Sequence, residues 1–576
     1  MSDLIANLTG FQRQVEHALA GMRESRLLER LWEKDHRLWK PEPTEITNRL
    51  GWLNVASQMQ AQIGDMSAFA KSVRQEGFRD VVLLGMGGSS LGPEVLRHTF
   101  PSAGGYPRLH VLDSTVPGAV RAVTRHIKVK RTLFIVASKS GGTIEVMSLF
   151  AYFWRAVTEA GQGQPGRQFI AITDPETSLG TLARDRSFRR TFINPEDIGG
   201  RYSVLSYFGL VPAALMGIQV DKLLDRAVAM EKVCGPTVAP KANPGAVLGA
   251  AMGILAQAGR DKVTVLASPG VDSFGLWAEQ LIAESTGKEQ TGLIPVAQEP
   301  LAPVSAYGDD RLFVVLRLDR DANQRLDRHV SALKRAQQPV IELRVRNPYD
   351  LAGEFFRWEF ATAVAGHYLG INPFDQPNVQ ESKDNTKRIL EEVTRQGRLP
   401  VVESDMTLEG LLSHAKPDHY FAVLAYATPS KRIEAALNRL RKTVMMKYRI
   451  ATTAAYGPRY LHSTGQLHKG GPNRGLFLEL IEKMDPDLDI PEAPYTFGTL
   501  AQAQAIGDVQ SLRTHGRPAA NLSLRRDSAM EINSLTGTRR RPAASQKAGP
   551  SRGRGGRGRA RGTDLRHGSG RRRRSG

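Results

Sequence analysis

The spacing of apolar residues changes character along the chain. From Leu4 to about Ser72 they recur at three- and four-residue intervals with no strand-like alternation, which predicts a helical start. Trp32, Trp39 and Trp52 fall in this stretch and read as packing residues. From Phe78 onward the pattern becomes short apolar runs: 81–84, 108–112, 134–137 and 169–173 each predict a buried strand. Every run ends in Gly, Ser, Asp or Thr and is followed by an amphipathic segment. That alternation predicts a doubly wound parallel α/β domain, with ligands beyond the carboxyl ends of the strands. A Pro/Ala/Gly-rich stretch near Ala239 opens a second pattern of the same kind. It comprises helix 245–259, strand 263–267, helix 276–284, strands 312–316 and 340–343, and a helical stretch over 352–368. Beyond Leu399, residues 420–426 predict a strand and 432–442 a basic amphipathic helix. The expected organisation is therefore an N-terminal helical segment (1–75), two doubly wound α/β domains (76–238 and 239–398), a mixed α/β region (399–535) and an Arg/Gly-rich tail (536–576).

Charge changes this picture only at the end of the chain. The formal net charge is +20, but residues 539–576 hold thirteen arginines and one lysine against Asp564. That tail carries +13, leaving +7 for everything before it. Its low complexity and lack of apolar residues predict disorder, with at most weak, non-specific contact to RNA or another polyanion. A single cysteine, Cys234, excludes a disulfide framework and cysteine-rich metal sites. The N-terminus shows no basic region followed by an apolar core, and no stretch reaches membrane-spanning length, so a cytoplasmic protein is expected.

The chemistry concentrates at the strand ends. Ser138-Lys-Ser-Gly-Gly-Thr143 lies between an apolar strand and a helix start, where unpaired backbone N–H groups and the helix dipole favour an anion. Ser138, Ser140 and Thr143 add hydroxyls and Lys139 a charge, which reads as a phosphate cradle. Gly85-Met-Gly-Gly-Ser-Ser-Leu-Gly-Pro93 starts like a dinucleotide fingerprint, but Ser90 stands at the third glycine position; a sugar phosphate suits two such turns better than a nicotinamide cofactor. Gly199-Gly-Arg-Tyr-Ser203 lets Arg201, a permanent cation, approach a ligand closely. In the polar stretch 456–472, His462 and His468 lie six residues apart without cysteine or a third clustered ligand, so proton transfer or hydrogen bonding is expected of them rather than zinc.

Together these motifs, with Glu284-Ser-Thr-Gly-Lys288, Asn372-Pro-Phe-Asp-Gln376 and Lys383, resemble the glucose-6-phosphate isomerase family of the two-domain sugar-isomerase superfamily, in the family's order over roughly residues 75–390. The chain up to about 535 is similar to the isomerase half of bacterial proteins in which this enzyme is fused to a transaldolase, although residues 1–75 are too few for that barrel. The resemblance implies reversible aldose–ketose isomerisation of glucose 6-phosphate and fructose 6-phosphate through an enediol, in a homodimer, without cofactor or metal. It makes Glu284 the catalytic base, gives Arg201 the enediolate and places Lys383 near the ring oxygen. The phosphate falls to Ser138, Lys139, Ser140 and Thr143, and the sugar to Gly87, Gly88, Ser89 and Gln280. One departure stands out: the family's Gly-Gln-His element, whose His helps open the ring across the dimer interface, is replaced by Gly308-Asp-Asp-Arg311. Thr464-Gly-Gln-Leu-His468 offers His468 as a substitute, with His462 second. Another phosphosugar isomerase, a bifunctional relative and a non-catalytic sugar-phosphate sensor are the competing readings.

Overall fold

Three sheets, parallel but for one edge strand, follow one another along the chain in this computed structural model, which describes residues 3–161, 163–400 and 406–537. The expected tail disorder and polyanion contact fall on residues outside the described ones, save for 536 and 537.

The chain opens on a strand, β1 (Leu4–Asn7), not on a helix. This corrects the all-helical expectation for the start: β1 is ordered by antiparallel pairing with a strand far along the chain, and four residues alone are too few to reveal a period of two. Helices do dominate the remainder up to residue 75. Their three tryptophans anchor them to distant elements: Trp32 packs on Phe356 and Phe360, the Trp39 indole donates to the Ala363 carbonyl (2.9 Å), and Trp52 stacks on Tyr202 with ring centroids 5.2 Å apart.

The first sheet holds β2 (Asp80–Gly85), β3 (Arg108–Leu112), β4 (Thr132–Ala137), β5 (Phe169–Thr173) and β6 (Arg190–Ile193) in the order β3-β2-β4-β5-β6, all parallel. β2, β4 and β5 are buried throughout, as continuous apolar runs covered by helices on both faces must be. Chain direction across the sheet reverses between β2 and β4, so the two turns that leave those strands frame its switch-point crevice. One turn leads into α1 (Leu91–Thr99), the other into α2 (Ile144–Glu159).

The second sheet has β7 (Lys262–Ala267), β8 (Ile294–Ala297), β9 (Arg311–Leu318) and β10 (Val340–Val345) in parallel, with β1 as an antiparallel edge. Between β7 and β8 runs α3 (Phe274–Thr286), buried on nearly every side; α4 (Leu351–Leu369) is also buried for most of its length. The chain then enters α5 (Pro377–Gln396).

The region expected to be mixed forms its own parallel sheet, β11 (Tyr420–Tyr426), β12 (Ala451–Tyr456), β13 (Gly475–Glu482) and β14 (Ala519–Leu524), in the order β12-β11-β13-β14. Helix α6 (Phe497–Thr514) precedes β14 and packs on α5. Among the described residues no helix is long and apolar enough to cross a membrane.

Candidate active site

Elements from all three sheets meet at the switch-point crevice of the first. After β2 the backbone turns at Gly87 with φ +53°, and a Cβ there would lie 2.5 Å from the His462 carbonyl and 2.9 Å from the Gln280 amide. A Cβ on Gly88 would overlap the Gly200 carbonyl. The glycines therefore allow the turn carrying Gly87, Gly88 and Ser89, the Gly-Gly-Arg turn, α3 and the His462 turn to close on one another. Ser89 is buried in this turn.

Helix α3 contributes Gln280 and Glu284, one turn apart and both buried. The Gln280 amide donates to Glu284 Oε2 (2.9 Å) and to the His462 carbonyl (2.8 Å). The other carboxylate oxygen of Glu284 lies 3.2 Å from the Arg201 guanidinium. Arg201, 1 % exposed, is held from all sides: Nε donates to Ser285 Oγ (2.7 Å), and the terminal nitrogens donate to Gln376 Oε1 (2.6 Å) and to the carbonyls of Pro373 (2.7 Å) and Asp375 (3.1 Å). Lys288 ties the same segment down through the Asp375 carbonyl (2.6 Å) and carboxylate (2.5 Å). Burial and the Arg201 charge push the Lys288 ammonium down to about 8, against the pull of Asp375 and Glu284. The Glu284 carboxylate thus meets the buried Arg201 directly and feels the charge of the buried Lys288 beyond it.

His462 lies in the turn Arg459–His462 beyond β12, and its Nε2 is 2.8 Å from Oε1 of Glu145 in the first turn of α2. Burial alone would lower the imidazolium, but the Glu145 carboxylate beside it holds it above its ordinary value; Glu284 assists and Lys383 opposes. Glu145 in turn is held below its usual range, because the imidazolium and hydrogen bonds from His462 and Gln504 outweigh its own burial. Lys383 stands exposed on α5, with its charge reaching His462. One connected set therefore links α2, the His462 turn and α3 to Arg201.

The Ser138–Thr143 loop wraps the start of α2, whose first N–H groups receive no side-chain cap. The Ser138 and Thr143 hydroxyls bond each other (2.9 Å), Ser138 also accepts from the Gly141 N–H (3.1 Å), and Ser140 is exposed at the tip. Lys139 departs from the sequence expectation of a free charge: its ammonium pairs with Asp174 and donates to the Glu196 carbonyl (3.0 Å). What this loop offers an anion is N–H groups and hydroxyls, with Lys139 engaged at its flank.

His468 is not brought to this cluster, which corrects the ranking of the two histidines. It sits on the short helix Gly465–Gly470 between the rings of Phe477 (4.9 Å), Tyr460 (6.2 Å) and Tyr420 (6.4 Å), 3 % exposed. Burial, with Lys469 and Arg517 nearby, drives its pKa well below the ordinary 6.5, so it stays neutral and packs. The unfolded chain binds a proton at His468 below about pH 6.5 that the folded chain does not, so stability is lost as pH falls through that value. His468→Gln is expected to leave turnover within about threefold, and to flatten the fall in Tm between about pH 6.5 and 5 relative to wild type. Calorimetry over that range checks it.

Several residues of the site carry no sequence signal of their own. Ser285 and Lys288 lie inside a quoted motif, and Asp375 and Gln376 inside another, but Glu145 reads only as a first-turn acid and Gln504 as an ordinary helix residue. Among the described residues no cluster of three His, Cys, Asp or Glu side chains could hold a metal ion.

Successive doubly wound sheets with a carboxylate, a guanidinium and an imidazole converging at a switch point form the architecture of the sugar-isomerase class. A family model described as phosphoglucose isomerase matches residues 52–299. The glucose-6-phosphate isomerase of Rubrobacter xylanophilus is 32% identical over 369 residues, covering 54% of this chain and 83% of that protein. That of Carboxydothermus hydrogenoformans is 29% identical over 447 residues, covering 67% and 90%. A solved glucose-6-phosphate isomerase from Chlamydia trachomatis shares the fold with a TM-score of 0.56 at 19% identity, covering 66% of this chain and 86% of that one. This chain belongs to the phosphoglucose isomerase family.

Proposed function

We propose that this chain interconverts glucose 6-phosphate and fructose 6-phosphate through an enediol, with Glu284 as the base. The carrying observation is the convergence, within one chain, of the Glu284–Arg201 pair and the His462–Glu145 pair beside an uncapped helix start. Fructose 6-phosphate arrives as a closed ring. The His462 imidazolium donates its proton to the ring oxygen as the bond from C2 to that oxygen breaks, the anomeric hydroxyl gives up its proton to solvent water as the C2 carbonyl forms, and the Lys383 charge assists from α5. Glu284 then removes a proton from C1 of the open ketose, and the electron pair moves to place the double bond between C1 and C2 with charge on the C2 oxygen. The C2 oxygen takes up a proton and the C1 hydroxyl gives one up, by exchange with solvent, and the same carboxyl returns its proton to C2 as the C1 carbonyl forms, giving the aldose. Arg201 already makes four hydrogen bonds besides its contact with Glu284, so its contribution to the enediolate is its fixed charge, reinforced by Lys288, in a water-poor site. The phosphate, bound by the α2 N-terminus with Ser138, Ser140 and Thr143, orients the sugar without taking part in bond making.

Purified protein supplied with fructose 6-phosphate should produce glucose 6-phosphate, read through a coupled dehydrogenase; the absence of turnover would sink the proposal. Thr143→Val removes one hydroxyl of the cradle and is expected to raise KM for fructose 6-phosphate about tenfold at nearly unchanged kcat, as a loss of uniform binding does. Every group named comes from one chain, so in the proposed homodimer each copy carries a whole site. Activity per chain should then stay constant on dilution through the dimer's dissociation range.

A further inference from the structure

Helix α6 presents Gln504 and Asp508 one turn apart on the same face, and both are buried to 2 % exposure behind the His462 turn. Neither takes part in the chemistry described above. The Gln504 amide donates to Glu145 Oε1 (2.6 Å), the same oxygen that bonds His462, while its own oxygen accepts from the Thr115 hydroxyl (2.9 Å). The Thr115 donor fixes the orientation of the amide, because a flipped amide would set its oxygen against the Glu145 carboxylate. Asp508 grips the other side. It accepts from the Tyr460 hydroxyl (2.9 Å) and pairs with the Lys469 ammonium (2.5 Å), and Tyr460 precedes His462 by two residues in the same turn. Glu479, kept neutral by burial and the Asp508 charge, lies 3.1 Å from the Tyr460 hydroxyl. A hydroxyl has only one proton to give, so the consistent arrangement has Glu479 donating to Tyr460 and Tyr460 donating to Asp508.

We infer that Gln504 and Asp508 are positioning residues for the ring-opening acid: Gln504 fixes the carboxylate that His462 bonds, and Asp508 fixes the turn that carries His462. The inference rests on the reading of His462 as that acid. It gives the C-terminal sheet a defined part in the reaction at the first sheet, through a helix that touches no substrate.

Without the Gln504 donor the Glu145 carboxylate is no longer held on His462, so the pair loosens and burial lowers the His462 pKa. The charged groups facing His462 are Glu145 from α2, Glu284 from α3 and Lys383 from α5, with Arg459 on its own turn paired to Asp113 and with Asp508 and Lys469 behind Tyr460. None of the others is altered by a change at Gln504. In Gln504→Leu, the imidazole titration of His462 followed by NMR, assigned by its loss in His462→Gln, should move down by about one unit. The alkaline limb of kcat/KM on fructose 6-phosphate should move with it, and the rate at pH 8 should drop about tenfold. Thr115→Val, which leaves Gln504 in place, should shift the titration the same way by a smaller amount, and it carries the test if the leucine variant fails to fold. Asp508→Asn should slow closed-ring fructose 6-phosphate more than 5-deoxyfructose 6-phosphate, which lacks the hydroxyl that closes the ring. An unmoved His462 titration in both Gln504→Leu and Thr115→Val overturns the assignment of Gln504, and an equal loss on the two sugars in Asp508→Asn overturns that of Asp508. Because the titration is read without substrate, it stands apart from the identity of the acid, which His462→Gln tests on the two sugars.

Discussion

Glu284→Gln is expected to lower kcat on fructose 6-phosphate about a thousandfold while leaving KM within a few-fold. The amide keeps the shape of the side chain and can still accept from Gln280, but it cannot take a proton from C1. In the structure the carboxylate is fixed by the Gln280 amide on one oxygen and by the Arg201 guanidinium on the other. The substitution removes the negative charge that pairs with the buried Arg201, so some loss of stability accompanies it. A thermal melt separates the two effects: folded protein with collapsed kcat supports the base, whereas unfolded protein calls for Glu284→Asp, which keeps the charge but withdraws it by one methylene.

The second large effect falls on His462. His462→Gln is expected to cut kcat/KM on fructose 6-phosphate about a hundredfold and to leave the open-chain 5-deoxy substrate within about threefold. The Glu145 carboxylate holds the imidazole protonated to a higher pH than burial would allow, so the acid is available near neutrality. Raising the pH through the His462 pKa should reproduce the mutant's selectivity in the wild type, slowing the closed sugar first. Stopped-flow comparison of the two sugars checks this, and equal losses on both would remove His462 from the ring-opening step.

How much of this was legible in the sequence depends on how locally each feature is determined. The runs 169–173 and 420–426 coincide with observed strands because each is a largely apolar stretch with clear breaks at both ends, and 108–112 does so on Leu109, Val111 and Leu112 despite Arg108 and His110. The strands β6 and β14 escaped, since Arg190-Thr-Phe-Ile193 is half polar and Ala519-Ala-Asn-Leu-Ser-Leu524 lacks β-branched residues; pairing with a neighbour makes them strands. The Ser138–Thr143 loop and the Gly-Gly-Arg turn were legible because glycines and hydroxyls leave a local signature, whereas Glu284, inside α3, was singled out by the family resemblance alone. The choice between His462 and His468 was not. Six residues of spacing cannot tell a turn facing Glu145 from a short helix facing Phe477, and the deciding partner lies in another sheet. Lys139 likewise looked free until the structure supplied Asp174 from the next strand end. Gln504 and Glu145 are 359 residues apart, and nothing in either segment announces the other.

Proton transfer by Glu284 is read most directly by isotope exchange, which does not depend on the coupled assay. In D2O, the wild-type chain should introduce solvent deuterium at C1 of fructose 6-phosphate and at C2 of glucose 6-phosphate as it turns them over, because a proton held on a carboxyl between removal and return exchanges with solvent. In Glu284→Gln both turnover and deuterium incorporation should fall together. Incorporation at the wild-type rate in that variant, or wild-type turnover without any incorporation, would contradict the account.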